Sequence, residues 1–416
     1  MKRLLCILCA ALLLCACTAG NPVPAHTSAE PTEQPTAAPT QLVYVPIPEI
    51  TGYASFSDAL AAKLLDGTQN HNLSPISVYL ALAMVTEGAN GETLDELLRL
   101  LGCDSIEELR GVCGAMLEEL SIDTETSALA VADSIWMADR EGLTFSEDYL
   151  KTLADIYRSE AHAVQFGTAD AAKQIADWIT ERTRGKIQLP SMDFDPETTA
   201  VLINTIYLKD QWNTPFNEDK TEDGTFFGPD GEQTVHYMIR TDHGVEIVKG
   251  DGFLRYSLPL LRVGRMTFVL PDEGVNLSDL LGSTERLHAL LTGGNAIKAN
   301  VSIKLPKFQF EDQIDLNEIL KSLGIGRAFT AAADFSGISN IPTAISDVMQ
   351  GSFVGVDENG VEAAAYTMLA MGATMFDTTV YPDMDFHLTR PFLYTIERYD
   401  GTVLFIGTVT APTPVE

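Results

Sequence analysis

Thr199-Ala200-Val201-Leu202-Ile203-Asn204-Thr205-Ile206-Tyr207-Leu208-Lys209-Asp210-Gln211-Trp212 begins as a run of β-branched and apolar residues and ends in a polar stretch before a tryptophan. That composition predicts a strand over 199–208. Other strands are predicted at 128–137, 234–239, 244–248, 253–258, 266–270, 297–310, 353–356, 392–397 and 403–410. Helical spacing of apolar residues predicts helices at 56–65, 76–87, 93–101, 106–120, 147–160 and 169–182, with Ser74 as the N-cap ahead of Pro75. Helices gather toward the N-terminal half and strands toward the C-terminal half. This segregation predicts an α+β fold and argues against a repeated βαβ architecture.

The chain has 416 residues, 45% of them hydrophobic and 20% charged, a balance that supports a large core with a wet surface. No internal repeat interrupts it, and one domain over 44–416 is the economical reading. Net charge is −31, which argues against nucleic-acid or anionic-membrane partners, since both demand basic patches. The same charge would attract cationic proteins, including many secreted proteases, or would keep an extracellular protein soluble.

Lys2 and Arg3 precede the apolar run from Leu4 to Leu14, too short for a membrane-spanning helix, and Leu14-Cys15-Ala16-Cys17 follows. Residues 1–17 therefore read as an export signal. The tetrapeptide is similar to a bacterial lipobox, in which the last cysteine, here Cys17, carries a lipid; Cys15 fits less well after bulky Leu14. Such an anchor predicts an extracellular, cell-surface lipoprotein whose only membrane contact is the lipid. Residues 18–43 are rich in Pro, Thr, Ala, Ser and Glu and read as a flexible spacer. Beyond the signal only Cys103 and Cys113 remain, separated by a helical pattern that would hold them ~15 Å apart, so two unpaired thiols are expected.

Enzyme signatures do not emerge. The seven histidines, at 26, 71, 162, 236, 243, 288 and 387, form no HExxH pair, and there is no GxSxG elbow, phosphate loop or GxGxxG after a strand. His71 lies near Ser74, but a helix-capping role accounts for that hydroxyl. No catalytic residue, metal or cofactor is expected.

Eight segments, taken together, resemble the serpin family of serine protease inhibitors. They are Asn72-Leu73-Ser74-Pro75-Ile76-Ser77; Thr183-Arg184-Gly185-Lys186-Ile187; Asn204 to Trp212 with Pro215-Phe216, Thr221 and Phe226; Leu305-Pro306-Lys307-Phe308; Ala333-Asp334-Phe335-Ser336-Gly337; Val356 to Ala365; Arg390-Pro391-Phe392-Leu393; and Leu404-Phe405-Ile406-Gly407. The resemblance spans about 44–412 and implies three β-sheets, eight or nine helices and an exposed reactive-centre loop. It also implies a sheet-opening region in Ser74, Ser77, Asn204 and Gln350, with Trp212 and Lys307 at the top of the sheet and Glu358 pairing with Lys307. Gln350-Gly351 stands where the family has His-Lys. Gln350 can still donate and accept, but a pH-sensitive member is lost.

The hinge implied by the resemblance comprises Glu358, Gly360, Val361, Glu362, Ala363, Ala364, Ala365 and Thr367. Its residues also speak for themselves. In an inserted strand Val361, Ala363, Ala365 and Thr367 would face inward, and Glu362, Ala364 and Tyr366 outward, so the one charge and the one large ring avoid the interior. An ordinary Ala-rich helix start is the alternative. Counting the family interval from Glu358 sets the scissile bond at Thr374-Met375, with Met375-Phe376 and Phe376-Asp377 as neighbours. From 361 to 385 there is no Lys or Arg, so a protease whose pocket holds a carboxylate has nothing to grip. The resemblance thus implies a monomeric suicide-substrate inhibitor that traps serine proteases in a covalent complex; a non-inhibitory binding or chaperone serpin is the alternative. Ala373, Thr374 and Met375 suit the shallow apolar pockets of elastase-like or subtilisin-like enzymes, the expected targets, while Met375 or Phe376 would suit chymotrypsin-like ones.

Overall fold

The computed structural model describes residues 51–187, 194–362 and 379–414. The expected signal and spacer lie outside these residues. Nine α-helices occur among them: α1 (Thr51–Leu64), α2 (Pro75–Thr86), α3 (Gly91–Leu101), α4 (Ile106–Glu119), α5 (Glu147–Thr152), α6 (Ala169–Arg182), α7 (Leu277–Leu280), α8 (Thr284–Thr292) and α9 (Asn317–Ser322). The strands are β1 (His71–Leu73), β2 (Ile122–Asp123), β3 (Ala128–Ala138), β4 (Glu160–Val164), β5 (Ala200–Gln211), β6 (Glu222–Gly228), β7 (Gly231–Lys249), β8 (Phe253–Pro259), β9 (Arg265–Pro271), β10 (Asn295–Pro306), β11 (Phe308–Asp315), β12 (Asp347–Val356), β13 (Gly360–Val361), β14 (Asp383–His387), β15 (Phe392–Glu397) and β16 (Val403–Val409).

They make three sheets. One has the order β11-β12-β13-β5-β3-β2, with β4 also against β3. A second contains β6, β7, β10 and β14, and a third β1, β16, β15, β9 and β8; among the described residues these two join only through the pairs Val248↔Arg255 and Lys249↔Leu254. The architecture is α+β, as the segregation of patterns implied.

Packing explains why β5 reads as a nearly continuous apolar run. On one face Leu202, Ile206 and Leu208 join the main core, against which α2 packs with every one of its residues buried. A helix with no charged residue on any face, its hydroxyls at Ser77 and Thr86 bonded internally, has no side for water and goes inside. On the other face Val201 and Ile203 meet Ile175, Trp178 and Ile179 of α6, together with Trp136. A strand covered on both faces does not alternate.

Four expectations need correcting. The helix expected over 147–160 stops at Thr152, passes through a π-helical turn at Leu153–Tyr157 and reverses at Arg158, whose φ is 52°. Glu160–Val164 then pairs with Ser134–Ala138, so sheet pairing overrides helical spacing. The strand expected over 297–310 is two, because the chain leaves one sheet after Pro306 and joins another at Phe308. The strands expected at 234–239 and 244–248 are one, β7, which crosses a bulge where Gly244 has φ 64° and a Cβ would lie 2.9 Å from the Tyr381 ring. Finally, β12 begins at Asp347, well before the expected 353. Cys103 and Cys113 are unpaired and buried, and burial pushes both thiols up.

Candidate functional site

The seven-stranded sheet contains a seam that is closed at one end and splayed at the other. β12 and β5 pair in parallel from Asp347↔Val201 to Ser352↔Ile206. Beyond that point they separate, and β13 enters between them, antiparallel to both, through Val356↔Val361, Gly360↔Gln211 and Val361↔Asp210. The space there is tight. A Cβ on Gly360 would meet the Asp210 carbonyl oxygen at 2.1 Å, so only glycine admits the strand. Val361 is 2% exposed and faces the core, as its parity required.

A turn delivers β13. Asp357 Oδ1 accepts from the amides of Asn359 (2.7 Å) and Gly360 (3.1 Å). Trp212 grips the turn by donating Nε1–H to the Asp357 carbonyl (2.9 Å) and its amide to that of Asn359 (2.8 Å). Glu358 is buried; Lys307 Nζ is 2.9 Å from Oε2, and Thr221 Oγ1 donates to Oε1 at 2.6 Å. Burial alone would raise the Glu358 carboxyl, but these bonds outweigh it and hold the carboxyl below its ordinary range. Burial pushes Asp357 the other way, up, against its amide bonds. Asp210, at the end of β5, is fully buried and satisfied by Ser127 Oγ and by the amides of Gln211, Arg262 and Val263.

The closed end is locked by neutral groups. Gln350 and Asn204 are register partners across the seam, and Gln350 Nε2 donates to Asn204 Oδ1 at 2.8 Å. The same side chain brackets Ser74, accepting from its amide (2.8 Å) and donating to its carbonyl (2.9 Å). Ser74 caps α2 by accepting from the Ser77 amide, while Ser77 Oγ donates to Asn204 Oδ1 at 2.9 Å. Asn204 Nδ2 completes the lock on the Met349 carbonyl. All four side chains are buried, so each bond replaces water that could not reach.

The structure therefore brings together Ser74, Ser77, Asn204 and Gln350 at the closed end, and Trp212, Lys307, Glu358, Gly360 and Val361 at the splayed end. Glu362 follows directly, bonded to Lys186 and Tyr207. Ala363, Ala364, Ala365, Thr367 and the bond Thr374-Met375 lie outside the described residues. Sequence reasoning missed a second lock beside the first: Asn72 Nδ2 donates to Ser352 Oγ at 3.1 Å, and Tyr394 Oη donates to Asn72 Oδ1 at 2.7 Å. Ser352 stands two residues after Gln350, on the same strand face, which was the available signal. It also missed Asp133, the register partner of Asn204 on β3, which is buried with Oδ1 unbonded and its carboxyl pushed well up by desolvation.

Comparison with known proteins gives the geometry a family. The serpin (serine protease inhibitor) family model matches residues 51–412. An uncharacterized serpin-like protein of Thermococcus kodakarensis is 34% identical over 381 residues, covering 88% of this chain and 86% of that protein. Serpin A3-1 of Bos taurus is 31% identical, covering 84% and 85%. Among solved structures, the thermophilic serpin tengpin in its native state is similar with a TM-score of 0.77 and 30% identity, covering 89% of this chain and 96% of that one. A sheet splayed around the short strand β13, on a chain matched along nearly all its described length, leaves one assignment: this protein belongs to the serpin family, whose members typically inhibit serine proteases.

Proposed function

We propose that this protein is an inhibitory serpin that is consumed in trapping an extracellular serine endopeptidase of elastase-like or subtilisin-like specificity. The observation that carries the reading is the splayed seam, in which Gly360 and Val361 already form the first rung of a new central strand. A strand template with its first pair filled is primed to grow once the strands on either side part.

The chemistry follows from the loop sequence. The protease serine hydroxyl attacks the carbonyl carbon of Thr374; the Thr374–Met375 amide bond breaks, an ester bond forms, and the proton leaves with the new amine of Met375. Residues 362–374, freed at their C-terminal end, then add to the sheet behind Gly360 and Val361. At ~3.3 Å per residue they carry the ester about 43 Å along it. Distortion of the acyl-enzyme halts hydrolysis, and the ester persists as a covalent complex. Gln350, Asn204, Ser74 and Ser77 form the lock that must part as β12 and β5 separate. Glu358, Lys307 and Trp212 hold the hinge where growth starts.

Incubation with each protease class, followed by a denaturing gel, tests the specificity. An SDS-stable complex is expected with elastase-like or subtilisin-like enzymes and none with trypsin, because no basic residue lies in 361–385. A complex with trypsin alone contradicts it, and cleavage without any complex favours a non-inhibitory binding serpin. Mass spectrometry of the complex identifies the cut bond among Thr374-Met375, Met375-Phe376 and Phe376-Asp377.

The same reading extends to location. The protein works as a monomeric bacterial lipoprotein, exported by residues 1–17, held outside the cell by a lipid on Cys17 and spaced from the membrane by residues 18–43. Metabolic labelling with a fatty-acid probe should mark the wild type and not Cys17→Ala; equal labelling of both rejects the anchor.

A further inference from the structure

Three non-glycine residues among those described have positive φ, and one of them, Glu362 at 49°, directly follows the inserted strand. Its amide still donates to the Gly355 carbonyl of β12 at 2.8 Å, so the pairing persists up to the residue where the backbone turns out of the strand. A left-handed backbone is unfavourable for a residue with a Cβ. Its side chain accounts for it. Glu362 Oε1 lies 3.1 Å from Lys186 Nζ and accepts from Tyr207 Oη at 3.1 Å, and the side chain is 9% exposed.

These contacts span the seam. Tyr207 belongs to β5, while the Lys186 ammonium also stands over the Phe353 ring of β12, 5.5 Å from its centroid. Extending the register of Val361 with Val356 and Asp210, an inserted strand would set position 364 between Phe353 and Tyr207. The bridge therefore crosses the rung that growth would fill within the next few residues. Growth would also require an extended Glu362, whose register partner on β5 is Lys209, in place of its present backbone.

We propose that Lys186 and Tyr207 are positioning residues that park Glu362 just beyond the first rung and so keep the uncut loop from growing into the sheet. This rests on the inhibitory reading above. The carboxylate is faced by Arg184 and Lys186 from the segment after α6 and by Tyr207 and Lys209 from β5; β12 contributes Gly355 and Phe353, which do not titrate. Burial raises the Glu362 carboxyl, with Lys186 opposing. Falling pH protonates the acid, removes its attraction to Lys186 and releases the latch.

The test uses the intact full-length chain, held somewhat below its melting temperature, as wild type, Glu362→Gln, Lys186→Met and Lys186→Arg. Insertion is read as hydrogen-exchange protection in 201–211 and 347–356, together with a rise in melting temperature. Glu362→Gln and Lys186→Met are expected to convert roughly tenfold faster than wild type, the effect of losing on the order of one charged hydrogen bond, while Lys186→Arg stays near wild type. Conversion of the wild type should accelerate from pH 7 to pH 5, and that of Glu362→Gln should not. Conversion of the Gln and Met variants no faster than wild type overturns the latch. If cleaved wild type gains no heat stability, the inhibitory reading fails and the latch with it; if it gains stability while the variants keep the wild-type rate, the latch alone fails.

Discussion

The two ends of the seam between β5 and β12 are held by different chemistry. Over Asp347↔Val201 to Ser352↔Ile206 the strands are locked by amides and hydroxyls, Gln350, Asn204, Ser74 and Ser77, all buried and none ionisable. Above Ser352 the chain is held by carboxylates with basic partners, Glu358 with Lys307 and Glu362 with Lys186. A neutral buried lock responds to the loss of a partner and hardly to pH or salt, whereas a set of carboxylates at the mouth of a cleft responds to both. The difference separates what keeps the sheet shut from what keeps the hinge parked. Asp133, beside Asn204 at the closed end, is the exception, a buried carboxyl without a partner on Oδ1.

The contrast can be broken at the closed end first. Asn204→Ala leaves Ser77 Oγ and the Met349 carbonyl without their partner and removes the cross-seam bond from Gln350; a loss of about 3–5 kcal/mol in urea unfolding is expected. A loss under about 1 kcal/mol would mean that the amide lock does not hold the seam.

At the splayed end the effect is smaller and depends on pH. Glu358→Gln should destabilise by about 2 kcal/mol at pH 7 through loss of the Lys307 contact. Because the Glu358 carboxyl is held below its ordinary range, the unfolded chain takes up the proton first. Its contribution is complete above the ordinary glutamate range and is lost as pH falls through the lower folded value. The variant should therefore show a flatter acid limb in melting temperature against pH, and an unchanged limb would remove Glu358 from the account of the hinge.

Asp133 sharpens the comparison by running with the opposite sign. Its carboxyl is raised, so the folded protein keeps the proton longer than the unfolded chain, and stability falls as pH rises from the ordinary aspartate range through the folded value. Asp133→Asn removes that fall and should stabilise by about 1 kcal/mol at pH 7, with little change near pH 4. Destabilisation at pH 7 would instead imply that the ionised carboxylate serves the closed seam.

Much of this site was legible because its members sit in long local motifs. Ser74 and Ser77 belong to a capped helix start, Asn204 to a strand with a continuous apolar run, and Gly360 and Val361 to a run of small residues. What stayed hidden depends on distant partners. Asn72, Ser352 and Tyr394 meet across some 280 to 320 positions of chain, which no local pattern records. β12 was underestimated because Asp347, Gln350, Gly351 and Ser352 dilute its apolar pattern, and the helix expected over 147–160 lost its end to the edge of β3. Lys186 lay in a recognised motif, yet its bond to Glu362 depends on a backbone turn that only the fold reveals.

Loop insertion is tested most directly by melting the intact protein beside a sample cut once within 363–378. Insertion predicts that the cut form melts well above the intact one and gains hydrogen-exchange protection along 201–211 and 347–356. A cut form that melts at or below the intact temperature, with those strands no better protected, would contradict it.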